Sequence, residues 1–129
     1  MAQGWQPDIN TRSFEAASGV TISRFALVGL DSSGNLVVGD SSSGEQAPAF
    51  GIALNSNSKL TTGVSVAKQA VLSNSSWTLT PGATIYLGTA GAPTTTAPTG
   101  TGTLVQVIGK AETATRGRFD VQDDYTENS

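Results

Sequence analysis

The side chains able to exchange protons or bind metals are nearly all carboxylates: ten Asp and Glu, with no His and no Cys in 129 residues. Without imidazole or thiol the chain cannot build a Ser-His-Asp triad, a cysteine nucleophile, a zinc site of the usual His/Cys type, a haem ligand set or a disulfide framework. Carboxylate chemistry remains. A glycosidase holds two acids across a sugar, and Asp31, Asp40, Glu45 and Glu112 are the formal candidates. No motif positions any two of them, and eight aromatic residues must serve both a core and any sugar-binding groove. Asp31, Asn35 and Asp40 offer calcium-type oxygens, but EF-hand spacing is missing and these residues are turn formers. The stretch Gly100-Thr-Gly-Thr-Leu-Val105 lacks the third glycine of a dinucleotide fingerprint and leads into a strand pattern. Gly109-Lys110 has Leu104 where a P-loop requires Gly, and Ala111 where Ser or Thr would hold magnesium. No catalytic residue, metal or cofactor is expected, and the chain reads as a non-enzyme.

The elements that would position any site are short. Gly, Ala, Ser and Thr fill nearly half of the positions, and charged residues only 13%, against about 25% in ordinary soluble domains. Val, Ile, Leu and Phe number 28. They cluster in short runs and the net charge is only −3, so the chain is expected to fold around a thin core that contact between subunits would supplement. Phe25-Ala-Leu-Val-Gly-Leu30 and Leu36-Val-Val38 flank Asp31-Ser-Ser-Gly-Asn35, which predicts a hairpin. Further strands are expected at residues 50–54, 64–72, 77–79, 84–87, 104–108 and 117–121, each bounded by Gly, Pro, Asn or Ser. Residues 90–103 read as a long loop containing a short Thr strand. No segment carries a helical stripe over three turns. An all-β fold follows: a compact barrel or sandwich of short antiparallel strands over residues 19–121, with an extended N-terminal arm at 1–18 and an acidic flexible tail at 122–129. Two segments look alike, Ala49-Phe-Gly-Ile-Ala-Leu54 and Val107-Ile-Gly-Lys-Ala-Glu112, either as equivalent strands whose Gly permits a bulge or close packing or by chance in a Gly/Ala-rich chain.

Residues 1–119 carry seven cations against six anions, while Asp120, Asp123, Asp124 and Glu127 supply the remaining acids. The dispersed cations argue against a nucleic-acid partner. The first 25 residues contain Asp8, Arg12, Glu15 and Arg24 and no apolar run of seven, so no secretory signal is expected, and without one the Asn74-Ser-Ser76 sequon carries no weight. No stretch approaches 18 apolar residues, which excludes a transmembrane helix. In the arm, Trp5 stands in a polar segment too short to bury it locally. Docking would remove about 150–250 Å² from water, either by packing back on its own domain or by contact with a neighbouring subunit or larger surface, for which Trp5, Pro7, Ile9 and Phe14 are the candidate contacts.

The order of the motifs is informative. Ala49-Phe-Gly-Ile-Ala-Leu54, Thr62-Gly-Val-Ser-Val66, Trp77 leading to Pro81-Gly-Ala-Thr-Ile-Tyr-Leu87, then Thr94-Thr-Thr96 and the strand from Val105 to Ala111 form an ordered set. Over residues 19–121 it resembles the small capsid cement, or head decoration, proteins of tailed bacteriophages. The resemblance implies a β-barrel-like or β-tulip-like virion protein, made in the host cytoplasm and placed on the outer surface of the capsid. Such proteins assemble as homotrimers and bridge major capsid protein subunits, which become the expected partners, with neither nucleic acid nor membrane involved. The competing expectation is a fibre-tip or adhesin-type carbohydrate-binding β-module that uses Trp77 and Tyr86.

Overall fold

The computed structural model describes residues 11–44, 46–57 and 63–129. Its strands in chain order are β1 (Thr11–Glu15), β2 (Leu27–Leu30), β3 (Leu36–Val38), β4 (Gly51–Ala53), β5 (Gly63–Ala67), β6 (Gln69–Ser73), β7 (Thr84–Leu87), β8 (Pro93–Thr94), β9 (Leu104–Val105), β10 (Val107–Ala111), β11 (Arg116–Asp120) and β12 (Thr126–Glu127). One sheet runs β1-β5-β4-β2-β3, a second β6-β11-β10-β7-β8, and β12 pairs with β9 in a short third ladder. The ladders between these strands are antiparallel. The two large sheets enclose a common apolar layer, so the expected all-β fold takes the form of a sandwich of short strands.

Burial explains the texture of the sequence. Leu27 and Val28 are adjacent on β2, yet Leu27 joins the cluster between the sheets while Val28 joins a second cluster on the far side of the first sheet. Ile52 and Ala53 on β4 divide in the same way, as do Ala67 and Val66 on β5. A sheet covered on both faces needs apolar residues at successive positions, hence the unbroken runs. In the second sheet only one face is covered. On β7, Ile85 and Leu87 are buried and Thr84 and Tyr86 are partly exposed, the two-residue alternation of a half-buried strand. The inner layer is completed by Ile108, Ala111, Phe119 and Val121.

The hairpin forms where the sequence predicts it, with Val28 opposite Val38 and Leu30 opposite Leu36. Asp31 closes its loop: the carboxylate Oδ1 accepts the N–H groups of Ser33 and Asn35, both at 2.9 Å, and Gly34 takes a φ of 83° that costs a side-chain-free residue little. The long stretch 90–103 does carry a short strand, β8, at the end of the second sheet.

Four expectations are corrected. The run 64–72 is two strands, because the chain leaves one sheet and enters the other at Lys68, whose carbonyl accepts the Val121 N–H at 3.0 Å. Residues 77–79 are no strand, although Leu79 is buried and Trp77 packs against the inner cluster. Residues 11–15, assigned above to an arm, form β1, paired along its length with β5 from Thr11 opposite Ala67 to Glu15 opposite Gly63. An edge strand with one covered face needs few apolar residues, and β1 has one, Phe14. The C-terminal residues return to the body instead of trailing from it. Glu127 lies opposite Leu104, the Asn128 amide donates to the Pro98 carbonyl at 2.8 Å, and Asp123 sits 3.5 Å from the Lys68 ammonium.

Candidate interaction surfaces

Trp5, Pro7 and Ile9 lie outside the described residues. Phe14 lies in β1, opposite Val64, and its ring meets Phe50 edge-on at 5.1 Å with an interplanar angle of 80°. It packs against the far-side cluster of the first sheet, and the Arg12 guanidinium stands 5.3 Å from its ring centre. Phe14 therefore packs on its own sheet with its ring half-buried. Truncating this half-buried ring, Phe14→Ala, is expected to lower stability by about 2 kcal/mol, somewhat below the cost at a fully buried site. Urea denaturation would measure it.

The carboxylates are occupied singly. Asp31 and Asp40 each accept backbone N–H groups of their own turns, Asp40 from Ser42 at 2.8 Å. Glu112 faces Arg116 at 2.9 Å and Arg118 at 3.7 Å. Glu45 lies outside the described residues. Among the described residues no three metal-binding side chains converge.

The outer face of the second sheet carries a row of side chains set by strand register: Thr84, Lys110, Arg118 and Val71 lie side by side on β7, β10, β11 and β6. Val71 is 56% exposed and Val107 39%. Tyr86 lies opposite Val107 on this same face. Trp77 packs on Phe119, on the inner side of that sheet, so Trp77 and Tyr86 do not form one platform.

Several clefts among the described residues are open to solvent. One of about 420 Å³ lies over β6 and β11, beside Val71 and Arg118. Another, about 540 Å³, lies between the loop after β3 and the loop that follows β8, and its described walls are hydroxyl-rich, including Ser41, Ser42, Thr94, Thr96 and Thr103. A third, about 290 Å³, is built from three turns that precede β2, follow β6 and precede β8. Arg24, Phe25, Asn74, Trp77 and Ala90 are among its walls. The rings of Phe25 and Trp77 lie 6.0 Å apart at 46°, Phe119 backs Trp77 at 5.3 Å, and the Arg24 guanidinium covers Phe25 at 4.5 Å. Phe25 has a φ of 68° and Ala90 a φ of 53°, the two described residues other than Gly with left-handed backbone. Hydrogen bonds hold the first in place: the Phe25 N–H donates to the Ala53 carbonyl at 2.6 Å, and the Ala26 N–H to that of Ser23 at 3.0 Å. Sequence pattern did not single out Arg24 or Phe25. No residue type announces left-handed backbone at a phenylalanine, and Phe25 reads simply as the first residue of a strand.

A comparison with protein-family models finds no match to this chain, and neither does a search of curated proteins.

Proposed function

We propose that this protein is a structural component of a bacteriophage virion: a cement subunit that sits on the outer surface of the head as a homotrimer and bridges major capsid protein subunits. The observation that carries the reading is the ordered motif set from residue 49 to 111 and its resemblance to head decoration proteins. In the fold that set falls on β4, β5, β7, β8 and β10, so the resemblance runs through the framework of both sheets. Sparse surface charge supports it as well, since identical copies packed side by side repel less when few like charges face each other. The proposed anchor residues are Trp5, Pro7, Ile9 and Phe14, of which Phe14 also packs on its own sheet. Three such arms on one trimer, each weak alone, give firm attachment through effective concentration.

Attachment is tested by sedimenting expanded heads, stripped of this protein, with the full chain or with a chain lacking residues 2–10. The cut spares β1. The expected outcome is co-sedimentation of the full chain, loss of binding by the truncated chain, and a β-sheet circular dichroism spectrum in both. Undiminished binding of the truncated chain would reject the arm as the anchor. Failure of the full chain to bind heads at all would reject the function. Light scattering is expected to give three times the 13.1 kDa chain mass on the head or in solution, and single copies in both settings would remove the trimer.

A further inference from the structure

We propose that the cleft between Phe25 and Trp77 is a binding site for a carboxylate-bearing hexose ring, such as one residue of an acidic polysaccharide. The site goes beyond attachment to a shell and does not depend on it. Its volume, about 290 Å³, is at the lower end for ligand pockets and suits a single ring better than a long side chain or an extended peptide. Two tilted aromatic rings form its apolar wall. The C–H groups on one face of a pyranose carry partial positive charge and settle on the negative face of such rings.

Charge selects among sugars. Arg24 makes no ion pair with any described carboxylate, and its guanidinium stands over the Phe25 ring, 4.5 Å from the ring centre, at the rim of the cleft. A guanidinium in that place presents a fork of donors suited to a carboxylate. On the opposite wall Asn74 is itself oriented, because its Oδ1 accepts the Ser76 N–H at 2.9 Å. That leaves the Asn74 amide nitrogen and the Ser76 hydroxyl to meet ring hydroxyls. The backbone supports the assignment. Left-handed conformations are unfavourable for residues other than Gly, and the two at Phe25 and Ala90 both fall on the walls of this one cleft.

The test uses the full chain carrying Trp5→Phe, so that tryptophan fluorescence reports Trp77, with calorimetry as a second readout. The probes are trimannuronate, neutral mannotriose and triglutamate. Trimannuronate is expected to bind with a dissociation constant in the range of about 0.1–10 mM, and mannotriose about tenfold more weakly. Arg24→Gln, at an exposed position, is expected to bring the acidic sugar down to the neutral level without a change in melting temperature. Absence of saturable binding of trimannuronate by both methods would overturn the proposal, as would equal binding of triglutamate or an acid preference that survives Arg24→Gln.

Discussion

Replacing Gln106 by Leu is expected to lower stability by about 3–6 kcal/mol, although the two side chains are close in size. Gln106 is completely buried, between β9 and β10, and every polar atom of its amide is used. Its Oε1 accepts the Ala49 N–H at 2.8 Å, and its Nε2 donates to the Ala49 and Gln122 carbonyls, both at 2.6 Å. One side chain therefore serves as a ladder rung in three places. It ties the approach to β4 in the first sheet to the strand and the exit of β11 in the second. Leucine fills the space and leaves the buried Ala49 N–H and carbonyl without partners, each costing about 1–3 kcal/mol, while the partly buried Gln122 carbonyl adds less; better apolar packing offsets part of the total. For a domain of this size the melting temperature should fall by roughly 10–25 °C. In urea the midpoint should drop with an unchanged slope. A loss below about 1 kcal/mol would show that water or a local shift satisfies these groups.

Gly109→Ala is expected to cost about 2–3 kcal/mol, the upper part of the range for overpacking. A methyl group there would lie within 3.0 Å of the Arg118 carbonyl oxygen and of the Phe119 Cα. Both are backbone atoms of the neighbouring strand, so no side-chain rotation relieves the clash. The position also follows a register shift in the pairing of β10 with β7, between Val107 and Gly109, where the chain bulges. Gly51 is the counterpart in the first sheet: its added Cβ would meet the Val66 side chain and come within 2.9 Å of the Ala67 carbonyl oxygen. Gly63→Ala is the control, since among the described residues its Cβ would meet only the Ser13 hydroxyl at 3.7 Å, and a change within about 0.5 kcal/mol is expected. Equal tolerance at 109 and 63 would contradict the close approach. Thermal melts of the three single variants decide it.

The glycine pair shows what local sequence can convey. Ala49-Phe-Gly-Ile-Ala-Leu54 and Val107-Ile-Gly-Lys-Ala-Glu112 match because each must let a neighbouring strand come close. The hairpin was legible for a similar reason, as Asp31, Gly34 and Asn35 are what its loop geometry demands. Residues 77–79 misled because burial and pairing are separate requirements. Trp77 and Leu79 are apolar since they pack inward, but the Leu79 N–H bonds to Ala114 and the Trp77 N–H to Asn74, so no ladder forms. The change of sheet at Lys68 left no mark, because a chain passing between two sheets stays extended and keeps a strand's composition. Of the candidate sites, Trp77 was visible as a large aromatic residue. Its partners were not, since Arg24 and Phe25 reach it through a left-handed turn that brings together segments about fifty residues apart.

The strands of the first sheet all lie within residues 11–67, and those of the second within 69–120. On a ribosome the first sheet can therefore assemble while the second is still unmade, with Leu27, Ile52 and Ala67 facing outward in place of inward. Within the second sheet β6 waits longest, because its partner β11 arrives more than forty residues later, which at about 5–20 residues per second is a delay of several seconds. A nascent chain of this kind displays a half-finished apolar face for that interval. The small side chains that make the finished core thin also keep that face modest while it waits.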